Sequence, residues 1–224
     1  MGKRWTDVWK MIFEIECVDG LRVGGSGGGL EIGGVDANLT ALKDPITGEP
    51  YLPGSSIKGK LRSILEREHG RGVRGEPCKC GESTCPVCPV FGAHKNTGAG
   101  ASRLIVRDAH FTEEYRENWK KNPVYEEKTE NTINRDRGTA NNPRTQQRVP
   151  AGAVFAGEMV LKVLEGDDDR TMLKNLKHAL AVLQEFDSLG AGGSRGSGRI
   201  RIRDYKEEKN ALKDVTLGGA TPKK

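Results

Sequence analysis

Four cysteines, Cys78, Cys80, Cys85 and Cys88, stand in the spacing C-x-C-x4-C-x2-C. Thiolates are soft ligands, and four of them supply the all-sulfur tetrahedral donor set of structural zinc sites. Gly81 and Pro86 provide turns that can bring the sulfurs together. His69 or His94 could replace one sulfur. With every coordination position filled by protein, a metal here staples a loop and performs no chemistry of its own. The remaining cysteine, Cys17, lies in a stretch where apolar residues mix with polar ones and reads as a buried core thiol. An odd number of cysteines, four of them clustered, argues for metal over a disulfide framework.

A second chemistry is suggested by Pro-Gly-Ser-Ser-Ile-Lys-Gly-Lys-Leu-Arg, residues 53–62. Ser55 or Ser56 can cap a helix. Lys58, Lys60 and Arg62 then crowd the positive end of its dipole, an arrangement that an arriving anion would stabilise. The same residues also fit a basic surface helix, and the stretch alone leaves both readings open. Asp36 follows Gly33 and Gly34 and precedes Asn38, a setting that suits either a turn or a general base. Residues 134–148 contain no Val, Ile, Leu, Met or aromatic side chain but carry Arg135, Arg137, Arg144 and Arg148. Such a stretch has no core of its own and reads as an irregular, exposed arm, either solvated or laid along nucleic acid. Residues 24–34 form a glycine-rich segment, and a second glycine-rich loop runs from Gly190 to Gly198, with Arg195 as the central cation of Gly192 to Gly198.

The elements that must carry these residues follow from periodicity. Val8 to Val18 reads as a strand, and the basic helix runs to about His69. Arg103 to Phe111 is a second strand and Glu113 to Lys121 a short helix anchored by Trp119. After the arm come a strand from Ala153 to Leu164 and a helix led by Asp167 to Asp169. That helix carries Met172, Leu173, Leu176, Leu180 and Leu183 on one face and ends at Gly190. A last strand spans Arg199 to Arg203, and the tail frays after about Lys209. This order predicts an α+β fold with a ferredoxin-like (RRM-like) βαββαβ core. The expected organisation is a single domain over 1–224, with a cysteine-containing insertion at 70–100 and a thumb-like arm at 121–150.

Composition sets the bounds. The net charge is +5 and the pI about 8.9, which suits a polyanionic partner. No apolar run approaches the roughly 20 residues of a membrane span, and no signal-peptide core opens the chain, so a cytoplasmic location is expected. The absence of a G-x-x-x-x-G-K-[ST] loop argues against NTP hydrolysis, and no paired-histidine arrangement of a metal-free ribonuclease stands out.

Four segments together resemble the RAMP superfamily of CRISPR proteins, and most closely the repeated backbone subunit of the type III-A (Csm) effector complex. They are GGVDANLTALKDPITGEPYLPGSSIKGKLRSILE (33–66), CPVCPVFG (85–92), TENTINRDRGTANNPRTQQRVPAGAVF (129–155) and LGAGGSRGSGRI (189–200). The resemblance implies an RRM-like subunit that stacks with copies of itself along one CRISPR RNA, among other Csm subunits, with single-stranded target RNA as substrate. It implies that the arm wedges into the guide–target duplex and that Asp36 cleaves the target with a divalent ion, Mg²⁺ or Mn²⁺. Ser55, Ser56, Lys58, Lys60 and Arg62 would hold the guide backbone, with Arg135, Arg137 and Arg195 also facing RNA. A non-catalytic scaffold of a type III-A or III-B complex and a guide-processing endoribonuclease are the alternatives.

Overall fold

The structure is a computed structural model that describes residues 3–24, 42–72, 75–95 and 100–215. Its centre is β1 (Trp5–Cys17), which pairs antiparallel with β6 (Val154–Leu164) on one side and β7 (Ile200–Ala211) on the other. Two short strands, β2 (Leu104–Val106) and β3 (His110–Phe111), pair with the far edge of β6. The sheet order is β2-β6-β1-β7, with every pairing antiparallel. Alternation decides the faces. Met11, Phe13, Ile15 and Cys17 of β1 are buried with Phe155, Met159 and Leu161 of β6, whereas Ile12 points to the more open side.

Two helices join this core. Helix α1 (Gly54–Glu68) contributes Ile57, Leu61, Ile64 and Leu65. Helix α4 (Asp169–Phe186) contributes Met172, Leu173, Leu176, Ala179, Leu180 and Leu183. Gly54 has a packing role: a Cβ there would collide with the carbonyl of Val106, so only glycine lets α1 start against β2. Gly157 likewise faces Phe13, whose ring would lie 2.6 Å from an added Cβ. Between β3 and β6 come α3 (Glu113–Lys121) and a separate two-stranded ribbon of β4 (Glu126–Asn134) and β5 (Thr139–Arg148). Phe111 links Phe155 to Trp119, and Trp119 meets Tyr125, so aromatic contacts root α3 and the ribbon on β6.

Several sequence expectations are corrected. Arg103 to Phe111 is two short strands, not one. The stretch 134–148, expected to be irregular, is instead the turn and second strand of the ribbon. It needs no core because its turn is built from polar groups: the Asn134 Oδ1 accepts the N–H groups of Asp136 and Arg137, and Gly138 adopts φ +65°. Helix α4 ends at Phe186, before Gly190, and Gly190 instead packs where a Cβ would meet the Arg22 carbonyl. Strand β7 continues through the charged stretch to Ala211 because main-chain pairing to Asp7 and Val8 holds it, independent of side-chain pattern. Among the described residues no helix is long and apolar enough to cross a membrane.

One buried ion pair locks the α4 entry. Asp168 caps the helix by accepting the Thr171 N–H. Asp167 turns inward to Arg103, with Nε–Oδ2 at 3.2 Å and both side chains almost fully buried. Burial works to raise the Asp167 carboxyl, but hydrogen bonds from Arg103 and the Leu164 N–H, with the charges of Arg103 and Lys3, outweigh it and hold it below its ordinary value. The folded state therefore binds this proton less tightly than the unfolded chain. The resulting stability is complete above the unfolded pKa of about 3.9 and is lost as pH falls through the lowered folded value. Asp167→Asn is expected to cost about 3 kcal/mol near neutral pH by removing the carboxylate that faces the buried Arg103 charge. Urea denaturation across pH checks this, and the gap between wild type and variant should close as the solution is acidified below about pH 4.

Candidate functional site

The four cysteines converge. The Cys78 Sγ lies 3.7 Å from Cys80, 3.9 Å from Cys85 and 3.6 Å from Cys88, and Cys80 and Cys88 are 3.7 Å apart. Four sulfurs at about 2.3 Å from a central zinc would stand roughly 3.8 Å from one another along the edges of a tetrahedron. The spacing of the cluster therefore fits a single tetrahedral ion. Cys78, Cys85 and Cys88 are buried and Cys80 sits at the rim. Cys88 opens α2 (Cys88–Phe91), where Pro89, Val90 and Phe91 are buried, and its backbone N–H donates to the Cys85 sulfur. Among the described residues the cluster comprises the four cysteines alone. His69 caps the C-terminus of α1, and His94 gives its backbone N–H to the Cys78 carbonyl. Cys17 stands apart in the core, its thiol pushed up to about 12 by burial and, second, by Glu16.

The start of α1 differs from the sequence expectation. Pro53 occupies the cap position without a side-chain bond, and Ser55 and Ser56 lie within the first turn. The distant Asp108 carboxylate fills the capping role by accepting the Gly54 N–H at 2.7 Å. The three cations diverge. The Lys58 Nζ donates to Ser102 Oγ and the Leu104 carbonyl, both at 2.7 Å, and burial, then Arg62, lowers its pKa. Lys60 pairs with Asp187 at 2.9 Å. Arg62 pairs with Glu66 and donates to the Cys78 carbonyl. Each is spent on a different protein partner.

The structure does gather cations where the ribbon meets the second glycine loop. An open cleft of about 810 Å³ is lined by Lys128, Glu130, Asn131, Thr132, Ile133, Arg135, Arg144 and Arg195. Arg195 Nε donates to Glu130 at 3.0 Å, and the Lys128 Nζ reaches the Arg195 carbonyl. Burial favours the protonated Glu130 carboxyl, but Arg195 and then Lys128 prevail and hold it below its ordinary value. One carboxylate thus faces four cations, leaving the cleft with excess positive charge. Arg137 is exposed at the ribbon's tip. Lys128, Glu130 and Ile133 were not singled out in the sequence; the alternation of Glu126, Lys128 and Glu130 along β4 was the available signal. Arg148, grouped in the sequence with the arm's exposed arginines, is buried. Its guanidinium donates to Ser197 Oγ at 2.7 Å and the Gly196 carbonyl at 3.1 Å, and pairs with Glu126.

Asp36 and most of the first glycine-rich segment lie outside the described residues. The segment is flanked by Val23 and Leu42, and the Leu42 N–H donates to the Val23 carbonyl at 3.1 Å. Beside this point, Leu21 and Val149 exchange main-chain hydrogen bonds and Ala191 N–H donates to the Arg22 carbonyl. The flanks therefore adjoin both the ribbon's base and the second glycine loop.

The family profile of the RAMP superfamily matches residues 14–201. The chain belongs to the RAMP superfamily. This RAMP protein is 42% identical over 212 residues to a Methanothermobacter thermautotrophicus protein named CRISPR system Cms endoribonuclease Csm3, covering 86% of this chain and 82% of that one. A protein of the same name from Methanocaldococcus jannaschii is 39% identical over 207 residues, covering 88% and 80%. A solved structure, described as the Csm3–Csm4 subcomplex in the type III-A CRISPR-Cas interference complex, aligns with a TM-score of 0.61 at 27% identity. The alignment covers 94% of this chain and 83% of that one.

The cysteine geometry leads to a direct test. The RAMP protein should bind one divalent metal per chain, measured by elemental analysis, and Cys88→Ser should abolish tight binding. Binding should weaken in acid, since ligation requires the thiols to lose their protons and burial raises those of Cys85 and Cys88.

Proposed function

We propose that this chain is the CRISPR RNA-binding, target-cleaving backbone subunit of a type III-A interference complex, an endoribonuclease directed by its guide. The observation that carries this reading is the clustering of Lys128, Arg135, Arg144 and Arg195 in one cleft between ribbon and glycine loop. These are cations from distant parts of the sequence, and the excess charge suits a phosphate backbone. The names of the relatives support the endoribonuclease activity and the Csm assembly. The strand order β2-β6-β1-β7 supports the ferredoxin-like, RRM-like reading.

RNA would run along the cleft, with Arg135, Arg144 and Arg195 on phosphates and Arg137 at the ribbon's tip. The ribbon would act as the thumb that interrupts the guide–target duplex. Lys58, Lys60 and Arg62 have protein partners, so we give α1 the part of a scaffold. Asp36 would cleave the target by activating its 2′-hydroxyl or by ligating a divalent ion. Mg²⁺ or Mn²⁺ bound there would neutralise charge at the scissile phosphate, and a single carboxylate with waters and phosphates is an ordinary setting for Mg²⁺. The four cysteines would hold zinc, which stabilises their loop. Copies of the subunit would repeat along one guide beside other Csm subunits, in the cytoplasm.

The deciding experiment is target-RNA cleavage by the assembled complex. Asp36→Ala and added chelator should each abolish cutting while guide RNA stays bound; unchanged cutting in Asp36→Ala would leave a non-catalytic scaffold. A second measurement tests the cleft. With Arg135, Arg144 and Arg195 all changed to Ala, the slope of log affinity against log salt for single-stranded RNA should flatten by roughly 2, from about 0.7 per lost phosphate contact.

A further inference from the structure

Arg62 and Glu66 stand one helical turn apart on α1 and grip the peptide of a single residue, Cys78. The Glu66 Oε1 accepts from the Cys78 N–H at 2.8 Å and from Arg62 Nε at 2.8 Å. The Arg62 Nη2 donates to the Cys78 carbonyl at 3.0 Å. Both groups are largely shielded, with side-chain exposures of 18% and 13%. Cys78 lies on a stretch with no helix or named strand of its own, and these bonds tie its main chain to α1, while its carbonyl also accepts the His94 N–H and the Cys88 thiol. It is also the hub of the cluster: its sulfur lies within 3.9 Å of each of the other three.

We infer that Arg62 and Glu66 are positioning residues of the cysteine metal centre, a clasp that sets metal affinity by fixing Cys78 before the ion arrives. The inference rests on the reading of the four cysteines as a metal site. The physical argument is preorganisation. A loop free to move must lose conformational freedom on binding the ion, and a clasp that has already ordered the central ligand removes part of that cost. Groups that hold metal ligands from outside typically change affinity by about 10–100-fold when removed. Arg62 also offers a charge suited to the site, because four thiolates around a divalent ion leave net negative charge close to its guanidinium. A cation that the sequence suggested for phosphate is thereby assigned to the metal loop, and α1 and that loop become one unit.

The test is cobalt(II) binding by the full chain, titrated in competition with a chromophoric chelator. Arg62→Ala and Glu66→Gln should each lower cobalt affinity about 10–100-fold. At saturating cobalt both should retain the thiolate-to-cobalt absorption band and the circular dichroism of the wild type, which marks lost affinity with intact ligands and fold. Glu68→Gln removes a carboxylate from the same helix, one paired with His178 away from the loop, and should stay within about twofold of wild type. Wild-type affinity in both clasp variants, or an equal loss in Glu68→Gln, overturns the inference. If Arg62→Ala fails to fold, the milder Glu66→Gln decides. A wild-type chain that gives no thiolate band overturns the metal-centre reading itself, an outcome distinct from variants that merely match a cobalt-binding wild type.

Discussion

A buried guanidinium governs the layout of the candidate RNA face. Arg148 ends the ribbon, pairs across it with Glu126, and donates to Gly196 and Ser197 of the second glycine loop. Gly20 lies against both partners of that pair, where an added Cβ would strike the Glu126 carboxylate. Three segments distant in sequence thus close on one charge. A two-stranded ribbon is marginal in water by itself, and one this polar gains little from packing. The cost of burying Arg148 is offset only when all its partners are present, so the ribbon is placed where the loop and the β1 turn meet. The cleft that collects Lys128, Arg135, Arg144 and Arg195 depends on that placement.

The cations at the start of α1 and at the α4 entry differ in surroundings from those of the cleft. Lys58, Lys60, Arg62 and Arg103 are committed to carbonyls and carboxylates: Lys58 to Leu104, Lys60 to Asp187, Arg62 to Cys78, Arg103 to Asp167. Those in the cleft outnumber their single carboxylate, Glu130. The net charge of +5 does not separate these groups. Among these groups the local excess of cations over carboxylates lies on the ribbon and glycine loop.

Much of the architecture was legible in the sequence because it rests on local patterns. The β1 alternation, the α1 and α4 apolar faces, the α3 limits with Trp119 as anchor, and the four-cysteine cluster all follow from spacing along the chain. The ribbon was missed because its strands are fixed by main-chain pairing and a polar turn, which leave no hydrophobic period. The capping role of Asp108 was missed for a related reason: it lies 54 positions from the N–H it accepts.

The sequence by itself determined which residues could do chemistry: soft sulfurs at metal spacing, arginines on an arm without apolar side chains, a cation-rich helix start, and a carboxylate in a glycine-rich segment. Tertiary structure decided which of them act together. Side-chain type sets what a group can bind, but whether a charge is free depends on neighbours brought close by folding. Arg62 and Arg195 are the same residue type. One is held on a cysteine peptide by Glu66, and the other lines an open cationic cleft, because the chain folds α1 against the cysteine loop and the glycine loop against the ribbon.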